Sequence, residues 1–233
     1  MNQPLQAAYT GYGEVTSVEQ RNRVLRNTYW LLALSMVPTV LGAWIGVQTG
    51  AFAHMTPLAS VLVFFGGAFG LMYLVQRFKD SSTGVFMLLG FTFFMGLMLS
   101  RLLGAVLGGY SNGSSLIMTA FGGTAAVFFG MATMATVVKR DLSGLARFLM
   151  VGVMIAIVAS LVNVFFVQSS ALMLTISTAM TAVFSLFIMI DVKRVIDGGE
   201  TNYVMATLSI YLDLYNLFQN LLVILTSLTG DRR

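Results

Sequence analysis

Two aspartates, Asp191 and Asp213, sit within or beside apolar runs near the carboxyl end of the chain. Asp213 is the only charged side chain between Glu200 and Asp231, inside "ATLSIYLDLYNLFQNLLVILTSL", residues 206–228. A carboxylate at membrane depth costs roughly 3 kcal/mol even on lenient insertion scales, so an acid there is a functional candidate by default. On a helix Ser209, Asp213, Asn216 and Asn220, spaced by four, three and four, share one face. The preceding run adds Thr178, Thr181 and Ser185 and ends at Asp191. Lipid offers polar groups no partners, so this stripe is expected to face the interior of a bundle, with the hydroxyls and amides acting mostly as interhelical contacts.

Two carboxyl groups on consecutive helices support three kinds of chemistry. An intramembrane aspartyl protease shares one proton between two acids, but such enzymes resemble one another in "YD" and "GxGD" motifs, and "FIMID" and "IYLDL" match neither. A proton relay or cation path is the second, because two close acids cannot easily both ionise and the pair responds to pH. Deprotonated, the pair offers oxygen to a hard cation. Calcium takes six to eight oxygens, so Asp191 and Asp213 with Asn216, Asn220 and carbonyls make a weak, transient site. The third is a structural salt bridge, with Arg77 at the end of the second run as the cation for Asp191, a pair that could also act as a latch.

Other activities are excluded more cleanly. The chain has no cysteine, hence no disulfide framework, and the lone His54 rules out a multi-histidine metal cage. A rhomboid-type protease needs a membrane Ser–His pair, yet His54 lies in a link beside Pro57. A retinal Schiff base needs a lysine in the last helix, and 203–228 has none. "GGTAAVFFG", residues 122–130, lies within an apolar run and reads as a helix-packing surface, not a phosphate loop.

The elements that must position these residues are legible from composition. The chain is 57% hydrophobic and 9% charged, with a mean hydropathy of +0.85, against roughly a quarter charged for a soluble domain. An all-α integral membrane protein is expected. About 20 apolar residues cross a bilayer as a helix. Seven such runs occur, at approximately 28–47, 57–76, 83–103, 114–138, 145–167, 170–190 and 203–228. Short links join them, so the expectation is one bundle over 28–229 after a polar tail, 1–27.

The net charge of +4 does not point to nucleic acid, because the cations fall between the apolar runs as membrane orientation requires. Arg21, Arg23, Arg26, Arg77, Lys79, Lys139, Arg140, Arg147, Lys193 and Arg194 fall on one face, ten of the 13 basic residues. That face is expected to be cytoplasmic, placing the amino terminus inside and the carboxyl terminus outside. Arg232 and Arg233 fit this less well. Arg101, near the outer end of the third run, reads either as snorkelling to headgroups or as a pore-lining cation.

The segments "RVLRNTYWLLALS", "GGTAAVFF", "KRDLS" and "DGGETNYVMATLSIYLDLYNLFQNLL" resemble the Bax inhibitor family, and its bacterial YccA-like branch in particular. The resemblance covers nearly the whole chain. It implies a non-enzymatic seven-helix bundle with the last helix central, and a pair of acids matching Asp191 and Asp213. It further implies a pH-sensing calcium leak, with Arg77 as the matching latch. The second run carries no acid, unlike that of calcium-leak relatives, which weakens the attraction for cations. The branch is associated instead with a membrane-anchored AAA protease of the bacterial inner membrane, as substrate and modulator, and the tail 1–27 would suit a handle for it. No resident cofactor is implied.

Overall fold

In lipid every backbone N–H and C=O must find a partner within its own segment, so a chain this poor in charge is driven to long helices. The computed structural model describes residues 18–50, 52 and 55–229, and among these it holds seven helices and no strand. They are α1 (Val18–Thr49), α2 (Pro57–Phe78), α3 (Ser82–Gly109), α4 (Gly113–Val137), α5 (Ser143–Val162), α6 (Ser170–Ile196) and α7 (Tyr203–Leu228). All seven are long and apolar enough to cross a membrane, α5 together with the turn that follows it. The chain is a multi-pass membrane protein.

The seven apolar runs and the seven helices coincide, but some bounds move for physical reasons. α1 begins at Val18, so residues 18–27 of the expected tail are helical, with Arg23 paired to Glu19 one turn earlier at 3.7 Å. α6 continues past Asp191 to Ile196, because Lys193 buries its stem and reaches Asp197 at 2.8 Å. The first half of the link expected over 191–202 is thus the last turn and a half of a helix. α5 passes into one wide π turn, Asn163–Val167, and Gln168 takes a left-handed φ of 52°. The Asn163 side chain closes this corner by donating to the Ser169 carbonyl at 3.1 Å and accepting from its N–H at 2.9 Å. Residues 1–17, His54, Arg232 and Arg233 lie outside the described residues.

The tightest crossing joins α1 and α3. A Cβ on Gly42 would collide with the Phe93 carbonyl, one on Gly96 with the Thr39 carbonyl, and one on Gly46 with the Ser100 side chain. The small-residue spacing Gly42–Gly46 and Gly96–Ser100 lets the two backbones touch. The "GGTAAVFFG" segment is not such a surface throughout. Gly123 meets Leu221 of α7, with 3.6 Å left for a Cβ, whereas Gly122 and Gly130 face open space. Around this α1–α3 unit, α7 packs against α1, α2, α3, α4 and α6, while α5 packs chiefly on α6. The last helix is therefore central, with α5 as an outrigger.

The "DGGETN" segment knots two links together. Gly198 adopts φ +82° after α6, where a side chain would be strained. Gly199 and Glu200 N–H groups both donate to the Arg194 carbonyl, at 2.9 and 3.2 Å. Asn202 then caps α7, its Oδ1 accepting from Val204 and Met205 N–H at 3.0 Å each. Its Nδ2 reaches across to the α2–α3 link, donating to Lys79 O at 3.1 Å and Asp80 Oδ1 at 2.8 Å. Asn202→Ala is expected to cost about 2 kcal/mol, a cap plus the cross-link. Asn202→Asp should cost more, although it keeps the cap, because it sets a second carboxylate beside Asp80. Thermal unfolding of the detergent-solubilised protein measures the order. "KRDLS" does similar local work: Asp141 accepts from Ser143 Oγ and N–H at 2.7 and 2.9 Å, which holds its carboxyl below its ordinary pKa.

Candidate functional site

Asp213 sits about 15 Å along α7 from Tyr203, at 1.5 Å per residue. It is only 7% exposed. Its Oδ2 is fully buried and has no hydrogen-bond partner. Asp191, one and a half turns before the end of α6, lies near it across the antiparallel α6–α7 contact. Two neighbouring acids in a poorly solvated interior do not readily both ionise. Asp191 Oδ1 also takes an ion pair from Arg194 Nη1 at 3.3 Å. Side-chain exposure is 13% at Asp191 and 49% at Arg194, so the three groups step outward from the core toward the end of the bundle.

The cation beside the pair is thus Arg194, from the same helix as Asp191. Arg77, expected as the latch, is exposed at the end of α2, its guanidinium 5.9 Å from the ring centroid of its neighbour Phe78. It makes no ion pair with Asp191 in this conformation. Spacing could have signalled Arg194, since three residues along a helix place a cation on the same face as an acid. That signal was lost because "DVKR" reads as a link. Glu200, in the turn wrapped around Arg194, completes the charges near Asp191.

The stripe chosen by residue type is only partly the buried one. Ser209, Asn216 and Asn220 are half-buried. The Asn216 and Asn220 amides donate back one turn, to Leu212 O at 2.8 Å and Asn216 O at 2.7 Å, and not across the bundle. On α6 the hydroxyls of Thr178, Thr181 and Ser185 do the same. The cross-helix bonds come from a neighbouring face of α7. Tyr211 OH meets Thr39 Oγ1 at 2.9 Å and Thr92 O at 3.4 Å, and Tyr215 OH donates to Met95 O at 3.2 Å, while Thr207 Oγ1 donates to Tyr203 O one turn back at 2.7 Å and lies 3.3 Å from Thr28 O of α1. Gln219 continues the ladder by donating to Tyr215 OH at 3.3 Å. Thr207, Tyr211, Tyr215 and Gln219 recur every four residues, one helical face turned to α1 and α3.

Calcium as a resident ion does not fit these residues. The pair supplies only two carboxyl groups where calcium takes six to eight oxygens, and among the described residues no group of three or more His, Cys, Asp or Glu could hold a metal. Arg101, the other isolated cation, lies exposed on α3 and donates to Ser60 Oγ on α2. It lines no interior path in this conformation.

Comparison with known proteins bears on the family of the chain. The family model described as "Inhibitor of apoptosis-promoting Bax1" matches residues 21–230. A Pseudomonas aeruginosa protein is 39% identical over 215 residues, 91% of this chain and 94% of the relative. A Neisseria meningitidis protein is 37% identical over 226 residues, 94% of this chain and 97% of the relative. The Escherichia coli K12 protein named "Modulator of FtsH protease YccA" is 35% identical over 216 residues, covering 93% of this chain and 95% of its own length. With the match running from the early turns of α1 beyond the end of α7, the chain belongs to the Bax inhibitor family.

Proposed function

We propose that this chain is a bacterial inner-membrane protein in which protonation of the Asp191–Asp213 pair gates a weak cation path, with calcium as cargo. The observation that carries this reading is the fully buried Asp213 oxygen with no partner, beside a second acid already engaged by Arg194. An acid retained only for structure would have its oxygens satisfied, as buried polar groups overwhelmingly do. An incompletely satisfied, paired acid in a membrane helix is suited to gaining and losing a proton. Arg194 favours the charge on Asp191, which leaves Asp213 as the acid that holds a proton. Its loss would place two like charges against each other in a low-dielectric interior and drive α6 and α7 apart. In this reading the amino terminus and this end of the bundle lie in the cytoplasm and the carboxyl terminus outside, the orientation that the distribution of cations favours.

Purified protein in liposomes loaded with a calcium dye tests the reading. A calcium leak that changes from mildly acid to neutral pH is expected, with Asp213→Asn abolishing the pH dependence and Arg194→Gln displacing its midpoint. A pH dependence that persists unchanged in Asp213→Asn overturns the sensor assignment.

A second reading is favoured by the likeness to the Escherichia coli modulator over almost the full length of both chains. Here the chain modulates, or is a substrate of, a membrane-anchored AAA protease, with residues 1–27 as the handle and the aspartate pair only holding the bundle together. Absence of flux at every pH, together with protease binding that is lost when residues 1–17 are deleted, selects this reading over the leak.

A further inference from the structure

The "RVLRNTYW" segment of α1 takes no part in the aspartate pair, yet it builds a site of its own. Arg26, Tyr29 and Trp30 lie three and four residues apart, on one side of α1. They line a groove of about 380 Å³. The Tyr29 ring is braced from behind by Phe128 of α4, edge-on at a centroid distance of 6.0 Å. Trp30 is 73% exposed. A guanidinium-, a phenol- and an indole-bearing side chain thus border the groove together, and among the described residues none of the three has a hydrogen-bond or ion-pair partner. Arg23, one turn earlier, differs in being paired with Glu19.

We propose that Arg26, Tyr29 and Trp30 bind the phosphate headgroup of an anionic phospholipid. Arginine and aromatic donors are the side chains that recognise phosphate at a membrane interface, the first by a bidentate fork and the second by an amphipathic ring. A lipid fits better than a free phosphate because of what continues from the groove. The apolar run of α1 begins beside it, and Leu34 and Val37 follow Trp30 at four- and three-residue steps, 50% and 55% exposed. A headgroup held at Arg26 would lay its acyl chains along that apolar line. This end of the bundle also gathers the cations that flank the other spans, so the field around the groove favours an anion.

The test uses the full-length protein carrying Trp44→Phe, which leaves Trp30 as the only indole, in phosphatidylcholine vesicles with a minor share of brominated lipid. Brominated phosphatidylglycerol should quench Trp30 more than the same share of brominated phosphatidylcholine, reflecting about a fivefold local enrichment for one interfacial cation. Arg26→Gln should bring the two lipids to equal quenching, while Arg23→Gln should retain the preference; both sites are exposed, and unchanged helical circular dichroism checks the fold. Equal quenching in the parent overturns the proposal. So does a preference that survives Arg26→Gln, or one that Arg23→Gln removes as fully, since that is diffuse surface charge. Relief of the quenching by inorganic phosphate at lipid-equivalent concentration assigns the groove to free phosphate instead, and also overturns it.

Discussion

Gly96→Val is expected to abolish cooperative thermal unfolding of the solubilised bundle, or to lower its stability by about 3 kcal/mol or more. The cost comes from the α1–α3 crossing, where any Cβ on Gly96 would enter the space of the Thr39 carbonyl and the Ala43 N–H lies 3.0 Å away. Both neighbours are backbone, so no rotamer change relieves the collision and the helices must separate. Overpacking of a well-packed contact costs roughly 1–3 kcal/mol when side chains can move; a backbone collision belongs at or beyond that upper end. In lipid this loss is not offset by a hydrophobic drive between helices, since association rests on close van der Waals packing. Gly122→Val and Gly130→Val are the controls. Both positions face open space, and each should change stability by no more than about 0.5 kcal/mol. Equal sensitivity at positions 96 and 130 would refute the assignment of the tight crossing.

Tyr211→Ala should cost about 3 kcal/mol, with Tyr211→Phe costing nearer 1 kcal/mol. Tyr211 is 1% exposed, packs edge-on against Phe91 at a centroid distance of 6.0 Å, and stacks on Tyr215 at 6.2 Å. Truncation leaves a cavity at the meeting point of α1, α3 and α7, and large-to-small aromatic changes in tight cores cost about 3–5 kcal/mol. The phenylalanine variant keeps the volume and removes one hydroxyl that links Thr39 and Thr92. The difference between the variants, read from chemical or thermal unfolding in one detergent, separates packing from hydrogen bonding. A phenylalanine variant as unstable as the alanine one would mean that the hydroxyl, not the ring, holds α7 in place.

Much of this architecture could be read from the chain without coordinates. The seven helices were legible because apolar length alone dictates a span, and Asp213 because a lone acid at its position in a span needs a reason. What the chain hid was direction. Residue type marked Asn216 and Asn220 as inward partners, yet amides can satisfy themselves on the preceding turn, and these do. Tyr211 and Tyr215 blend into an apolar aromatic run, although each phenol carries the hydroxyl that crosses to another helix. Lys193 disguised the end of α6, because a buried lysine stem with its charge on Asp197 is indistinguishable in sequence from a solvated link. Likewise, which glycines touch another backbone depends on how helices cross. Gly42 and Gly46 repeat the spacing of many glycines that touch nothing.

The ladder on α7 bears on how the molecule is made. Synthesis delivers α7 last, after α1 and α3 have emerged and can already pair through their glycines. The acceptors that await Tyr211 and Tyr215 are the main-chain carbonyls of Thr92 and Met95, together with the Thr39 hydroxyl. A chain interrupted before residue 203 would therefore hold a finished α1–α3 pair with an empty, polar-walled slot where its axle belongs. Such a species is recognisably incomplete from within the bilayer. Arrival of α7 closes the slot, seats Asp213 against Asp191, and lets Asn202 tie the last link to the first hairpin in one event. Synthesis of α7 and assembly of the acid pair thus coincide.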